Sequence, residues 1–401
     1  MIKQVLKQIW KQRGENGWIY LELLIVFILF WYVVDYSFMM VHNRLLPRGF
    51  NIENTYRVYH DDINSEEKKD EFEKFVRKVK QYPGVEKVTL SNKFEGTTPF
   101  SSSYSSRVLK RDTNSDAISM SAEIKRVTSP DYFSIFEIRS VTHSDRTGAL
   151  DFSNSSSIVL SEDLAKGLFA DEDPIGKAVY MGQDDIYIVT DVVGNQKKYD
   201  YETYTPTFFI SAKEESVTMP ELSLRVNDHF SIDKFREDVS YSILSYHNVK
   251  KTLEMINGTT MEVQLRMIMM LFFVLSTALG VIGTFWFRNQ ARRNEIGVRM
   301  SMGSSRKEVL RQFVTEAILL LTLAAIPAMV VIAVILHLDI IEVIGLSNID
   351  NGHYIIEKVW LRGLITVVIT YILMAVIVGV SAWIPARRAA RVNPVEALRD
   401  E

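Results

Sequence analysis

The chain has 401 residues, with 46 lysines and arginines against 49 aspartates and glutamates, and a net charge of −3 gives no reason to expect a nucleic-acid partner. It has no cysteine, which excludes disulfides, thiol catalysis and thiolate metal sites. Hydrophobic residues make up 47%, too few for a wholly membrane-embedded chain and too many for an ordinary soluble one; apolar helices beside a sizeable polar domain average to such a value.

Residues 1–17 set Lys3, Lys7, Lys11 and Arg13 against Val5, Leu6, Ile9 and Trp10, the pattern of an interfacial amphipathic helix. Residues 18–41 predict a first transmembrane helix, with Trp18, Tyr20, Trp31, Tyr32 and Tyr36 partly serving as interface aromatics. The run is too long for a signal peptide, and no small-residue cleavage site follows it. Glu22 and Asp35 within it are costly against lipid, so they are expected near the interfaces or facing another helix.

Residues 42–265 form a polar stretch long enough for its own core. A strand is predicted over 56–60, then a helix capped at Asn64 or Ser65 with Phe72, Phe75, Val76 and Val79 at helical spacing. Tyr82-Pro83-Gly84 ends that helix before a strand at 85–90. A similar unit returns as a strand at 222–226 and a helix over 231–247, with Ile232, Phe235, Val239 and Ile243 on one face. Between them lie a Ser-rich loop, 97–106, and strand-like runs at 186–193 and 207–211. The predicted fold is an α+β membrane protein. Four transmembrane helices carry, between helices 1 and 2, a large extracytoplasmic α/β domain in which a β-rich subdomain is inserted into a βαβ-type one.

The remaining spans are 266–288, 317–336 and 363–386, and 317–336 contains Pro327, a residue able to kink it. The loop 337–362 carries Asp339, Glu342, Asp350 and Glu357 against Lys358 and Arg362, while the tail 387–401 carries Arg387, Arg388, Arg391 and Arg399. Basic segments stay inside, so both termini are predicted in the cytoplasm with the large domain outside.

The segment 289–316 is the most ordered in its chemistry. Arg292, Arg293, Arg299, Arg306, Lys307 and Arg311 face only Glu295, Glu308 and Glu316. Topology explains the arginines but not the rest. Glu295, Arg299, Gly303 and Glu308 follow a helix-like pattern, and Gly303-Ser304-Ser305 offers a break followed by an N-cap serine. Val309, Leu310 and Phe313 then fall on one side, with Arg306, Lys307, Glu308 and Arg311 on the others. This predicts a short amphipathic helix at the membrane surface, presenting a face to a cytoplasmic partner. Glu295 and Arg299, at i,i+4, are placed to pair and stiffen the preceding helix.

Three separated motifs carry a resemblance. The run RRNEIGVRMSMGSSRKEVLRQFVTEA from Arg292, the run PARRAARVNPVEALR from Pro385, and SEDLAKGLFADEDPIGKAVYMGQDDIYIVTDVVG from Ser161 resemble the MacB/FtsX-like ABC-transporter permeases in the right order. The resemblance implies that Glu295, Arg299, Gly303, Ser304, Arg306, Lys307, Glu308 and Arg311 form the coupling element that docks on an ATPase. It also implies a dimer with a second copy or a related permease in a bacterial inner membrane, with a periplasmic adaptor and an outer-membrane duct as possible further partners. ATP and magnesium would be held by the ATPase, and no cofactor by this chain.

No enzyme site emerges from the sequence. The nearest approach to a phosphate loop, Asp173-Pro174-Ile175-Gly176-Lys177-Ala178, lacks the first glycine and the terminal hydroxyl. Ser304 to Lys307 fits S-x-x-K by letter without its partner motifs, and no histidine falls in an H-E-x-x-H arrangement. The expectation is a permease subunit with its ATPase on a separate chain, exporting a substrate such as an antibiotic, peptide or lipid-linked molecule. Lipoprotein release, control of cell-wall hydrolases and a non-transporting membrane sensor or scaffold stay open beside it.

Overall fold

A computed structural model describes residues 13–59, 65–93, 97–100, 105–113, 117–143, 146–182, 185–200, 202–214, 217–239, 241–256, 259–291, 305–338 and 358–389. Most of the predicted amphipathic helix at 1–17, the outer loop 337–362, and the tail beyond residue 389 lie outside them. The chain divides into two units, Met1–His42 with Met261–Glu401, and Asn43–Thr260.

In chain order the elements are α1 (Arg13–Leu45), β1 (Thr55–Tyr59), α2 (Glu66–Lys80), β2 (Val85–Asn92), β3 (Ser106–Lys110), β4 (Ser119–Val127), α3 (Asp131–Ile135), β5 (Ser157–Ser161) and α4 (Glu162–Phe169). Then come β6 (Ala178–Met181), β7 (Asp185–Val193), β8 (Thr207–Ser211), β9 (Pro220–Val226), α5 (Ile232–Val239), β10 (Ile243–Ser245), α6 (Tyr246–Ile256), α7 (Thr259–Ala291), α8 (Arg306–His337) and α9 (Val359–Ala389).

In the Asn43–Thr260 unit, β10-β1-β9-β2 form a four-stranded sheet in which β9 runs antiparallel to both β1 and β2. The two βα units therefore interleave, and each leaves room for a strand of the other, as in a split βαβ arrangement. α2 begins at Ser65, whose side chain accepts from the Lys68 N–H at 3.3 Å, and it buries Phe72, Phe75 and Val79. These pack with Leu222, Leu224 and Val226 of β9. Gly84 closes the turn before β2 at φ +88; a Cβ there would lie 2.7 Å from the Phe230 backbone, so the position takes only glycine.

The helix predicted over 231–247 is shorter. α5 ends at Val239, and Ile243 pairs with Val58 as a strand residue before α6 begins at Tyr246. Ile243 keeps the helical spacing of Phe235 and Val239, but the free edge of β1 offers it backbone partners as well as burial.

The six inserted strands close into a barrel, β3-β4-β8-β5-β7-β6, with β4–β8 and β5–β7 parallel. Leu109, Ile124, Ile158, Leu160, Val179, Val189 and Phe208 form its core together with Leu164, Leu168 and Phe169 of α4. A separate aromatic core joins barrel strands to α3 and α6 through Phe100, Tyr132, Phe133, Phe136, Phe209 and Tyr246.

In the other unit, four helices among the described residues are long and apolar enough to cross a membrane: Gly17–Leu45, Val263–Thr284, Arg306–His337 and Val359–Arg387. α8 packs on α9, and both bury small residues in the bundle core, Ala317, Ala324, Ala325 and Ala328 on α8 and Ala382 and Ala386 on α9, as close helix approach in lipid requires. The hydroxyls of Thr322 and Tyr371 meet across this contact at 2.9 Å. α8 continues through Pro327. α7 leaves Leu271, Phe272, Leu275 and Leu279 exposed.

Candidate functional site

Of the residues read as the coupling element, Arg306, Lys307, Glu308 and Arg311 occupy the first two turns of α8, and Glu295, Arg299, Gly303 and Ser304 lie outside the described residues. The helix starts at a reciprocal cap. Ser305 Oγ accepts from the Glu308 N–H at 3.3 Å, while Glu308 Oε2 accepts from the Ser305 N–H at 3.0 Å, which satisfies two N–H groups that the helix cannot. Ser305 carries this role as the N-cap serine that Gly303-Ser304-Ser305 offers, though it is not among the residues assigned to the coupling element; its S-x-x-E spacing to Glu308 is the sequence signal for it.

The short surface helix expected here is instead the start of a long one. α8 runs unbroken from Arg306 to His337, about three turns ahead of the span read at 317–336. Val309 and Phe313 are buried in the helix-bundle core, because they begin the stripe that Ala317, Leu320, Leu321, Ala324 and Ala328 continue. Arg306, Lys307 and Arg311 are exposed on the other faces. The positive end of a helix favours acids in its first turn, and here Arg306 and Lys307 add to that positive potential with only Glu308 opposing it. A basic, capped turn fixed to a packed helix is thus suited to an acidic partner surface.

A second polar cluster ties α1 to α9 inside the bundle. The Arg362 Nε lies 3.3 Å from Asp35 Oδ1, the Thr366 hydroxyl donates to the same oxygen at 3.0 Å, and Trp31 Nε1 donates to Thr366 at 3.0 Å. Arg362 also reaches Met39 Sδ at 3.1 Å. Of the two expectations for Asp35, it faces another helix; its partner Arg362 was read only as part of the outer loop. Glu22 stands against Gly280 of α7, where any larger residue would strike its carboxylate.

The other titratable clusters among the described residues lie in the core or are paired with opposite charges. Tyr246 Oη meets Ser223 Oγ at 2.7 Å and Glu221 Oε1 at 3.4 Å, all within the core; burial raises the Glu221 pKa, with Arg57 at 4.0 Å and the hydrogen bonds opposing. An open cavity of about 480 Å³ is lined by Arg111, Phe169, Lys177 and Tyr180. Both of its cations are held by Glu172, at 2.7 Å and 2.6 Å, and their hydrogen bonds and charges bring its pKa down to about 2. Among the described residues no group of histidine, aspartate and glutamate side chains is placed to hold a metal ion.

Two family models match the chain in sequence order. Residues 43–240 match the MacB-like periplasmic core domain, and residues 267–394 match the FtsX-like permease C-terminal region. The chain is 30% identical over 170 residues to the pyoverdine export ATP-binding/permease protein PvdT of Pseudomonas fluorescens, covering 40% of this chain and 24% of that protein. It is 24% identical over 263 residues to the macrolide export ATP-binding/permease protein MacB of Acinetobacter baylyi, covering 61% of this chain and 37% of that protein. The matched part thus spans well under half the length of these curated relatives. The crystal structure of the periplasmic region of MacB from Actinobacillus actinomycetemcomitans aligns at 17% identity with a TM-score of 0.35, over 52% of this chain and 95% of that one. With a periplasmic core module and a permease module matched in order along one chain, the protein belongs to the MacB/FtsX-like permeases of ABC transporters.

Proposed function

We propose that this permease couples ATP hydrolysis by a separate cytoplasmic ATPase to movement of the Asn43–Thr260 unit, and that the work done is export of a periplasmic substrate. The observation that carries the reading is the exposed basic turn of Arg306, Lys307 and Arg311, fixed by the Ser305–Glu308 cap and by the burial of Val309 and Phe313. A coupling element must be biased by one partner and felt by another, and a rigid helix whose far turns lie in the bundle core meets that requirement. The permease acts as a dimer, with both termini in the cytoplasm of the inner membrane and the large unit in the periplasm. Two relatives are named for export, of pyoverdine and of macrolides, which supports export of a sizeable organic molecule over lipoprotein release or hydrolase control.

The test is a mild-detergent pull-down of the full chain with partner identification and an ATPase assay. A copurifying ATPase is expected, and it should fall to background when Arg306, Lys307 and Arg311 are all replaced by glutamate, with membrane insertion intact. A preparation with no ATPase would favour a sensor or scaffold; an ATPase that stays with the triple variant would remove the docking role from these residues.

A further inference from the structure

Separate stretches of the Asn43–Thr260 unit meet at Asp200. Its Oδ1 accepts from Arg48 Nη2 at 2.6 Å and its Oδ2 from Lys250 Nζ at 2.5 Å. The Asp200 N–H donates to Glu254 Oε1 at 3.4 Å, and Lys250 Nζ lies 3.8 Å from that same oxygen. Beside it, the Lys197 ammonium donates to the Asn43 carbonyl in the last turn of α1 and to the Asp200 carbonyl at 3.3 Å. The Lys197 N–H donates to the Arg48 carbonyl at 3.2 Å. Gly49, at φ +82, approaches the Asn195 carbonyl so closely that no Cβ would fit between them.

The segments involved are the ones through which force would have to pass. Asn43 and Arg48 lie where the chain leaves α1, and Lys250 and Glu254 lie on α6, the helix that precedes α7. Residues 195–200 form the loop that leaves barrel strand β7. Burial alone would raise the Asp200 pKa, but the hydrogen bonds from Lys250 and Arg48 and their charges outweigh it and hold the carboxyl below its ordinary range. The group is therefore ionised, and its bonds to both cations are of the charge-assisted kind, roughly twice as strong as neutral ones. One carboxylate bridges two sequence-distant connections, where two separate surface pairs would have given each cation a partner without linking them.

We propose that Asp200 is a positioning residue of the coupling machinery: it clamps the chain leaving α1 and the helix leading to α7 to the barrel loop, so that both connections and the barrel move as one element. This rests on reading the chain as a coupling permease, but its test does not require the ATPase. Amide hydrogen exchange of the full chain in detergent reads the clamp directly. Asp200→Asn should speed exchange about tenfold both at 43–51 and at 249–253, equivalent to about 1.4 kcal/mol, and Asp200→Glu should restore most of the protection. Arg48→Gln, a change confined to the first connection, should also speed exchange in α6, and should add nothing in the Asp200→Asn background. Acceleration by Arg48→Gln that stays within 43–51, or an α6 unmoved by Asp200→Asn, would overturn the clamp whether or not an ATPase copurifies. If Asp200→Asn fails to fold, Arg48→Gln and Asp200→Glu carry the same test.

Discussion

Asp35 in the helix bundle and Asp200 in the Asn43–Thr260 unit are both carboxylates held by more than one partner, but their surroundings differ. The Asp35 side chain is 4% exposed and that of its partner Arg362 9%, inside spans meant for lipid. Asp200 is 27% exposed and Arg48 23%, so water reaches that pair. Taking two ions out of water costs several kcal/mol each, and their attraction offsets this only when the geometry is good and the remaining polar groups are bonded. The bundle meets that condition with Thr366 and Trp31, which extend the pair into a chain of hydrogen bonds from α1 to α9 and back. In the Asn43–Thr260 unit the same chemistry costs less because solvent shares it, and one carboxylate can serve two chain segments. Buried charge in the bundle thus fixes the register of helices, while half-buried charge in the Asn43–Thr260 unit joins segments.

The largest effect expected from this comparison is at Asp35. Asp35→Ala leaves the Arg362 guanidinium buried without its counter-ion and should destabilise the bundle by about 3–5 kcal/mol. Thermal unfolding of the full chain in detergent would measure it. The double replacement Asp35→Leu with Arg362→Met, which removes both charges, should recover most of the loss. A single variant as stable as the parent would mean that water reaches Arg362 after all, and the contrast between the units would collapse.

The intermediate effect is a pH dependence in the Asn43–Thr260 unit. Burial brings the Lys197 pKa down to about 8 from its ordinary 10.5, with Asp200 opposing and Arg48 and Lys250 assisting; Glu254 stands on the α6 side of the same cluster. Between those two values the unfolded chain holds the proton and the folded chain does not. Stability from this group therefore rises with pH through that window and is lowest below pH 8. The gain is about 1–2 kcal/mol once screening by nearby water is allowed for. Thermal scans from pH 7.5 to 10.5 on the parent and on Lys197→Met should differ in slope, the variant lacking the rise. Identical slopes would show that solvent keeps the ammonium charged throughout, making this cluster wetter than the burial of Lys197 implies.

These clusters also mark where sequence reading stops. The helices, the two βα units flanking an inserted β-rich part, and the family were legible because they rest on local signals: apolar runs of bilayer length, the Ser65 cap, alternating strands and contiguous motifs. The interleaving of the two units in one sheet was not, because strand pairing is non-local. The Asp35–Arg362 pair joins residues at opposite ends of the chain, and Asp200 joins Arg48 to Lys250. Nothing in local spacing announces such pairs. Val309 and Phe313 were misplaced for a related reason. Their spacing fits a surface helix and a bundle helix equally, and only the stripe continuing through Ala317 to Ala328 decides between them.

The smallest expected effect bears on the coupling end. Ser305→Ala removes the acceptor for the Glu308 N–H and should cost about 1 kcal/mol. Because Val309 and Phe313 are held by the bundle, the loss should stay within the first turn of α8, where exchange of the Glu308 amide should quicken about fivefold with no change at Phe313 and beyond. Ser305→Asp should restore protection, since aspartate caps equally well and its charge favours the helix start. The cap matters to coupling only if the basic turn must be stiff. A measurable fall in ATPase copurification with Ser305→Ala, reversed by Ser305→Asp, would show that stiffness contributes beyond charge; unchanged copurification would leave the charge of Arg306, Lys307 and Arg311 as the whole of the docking role.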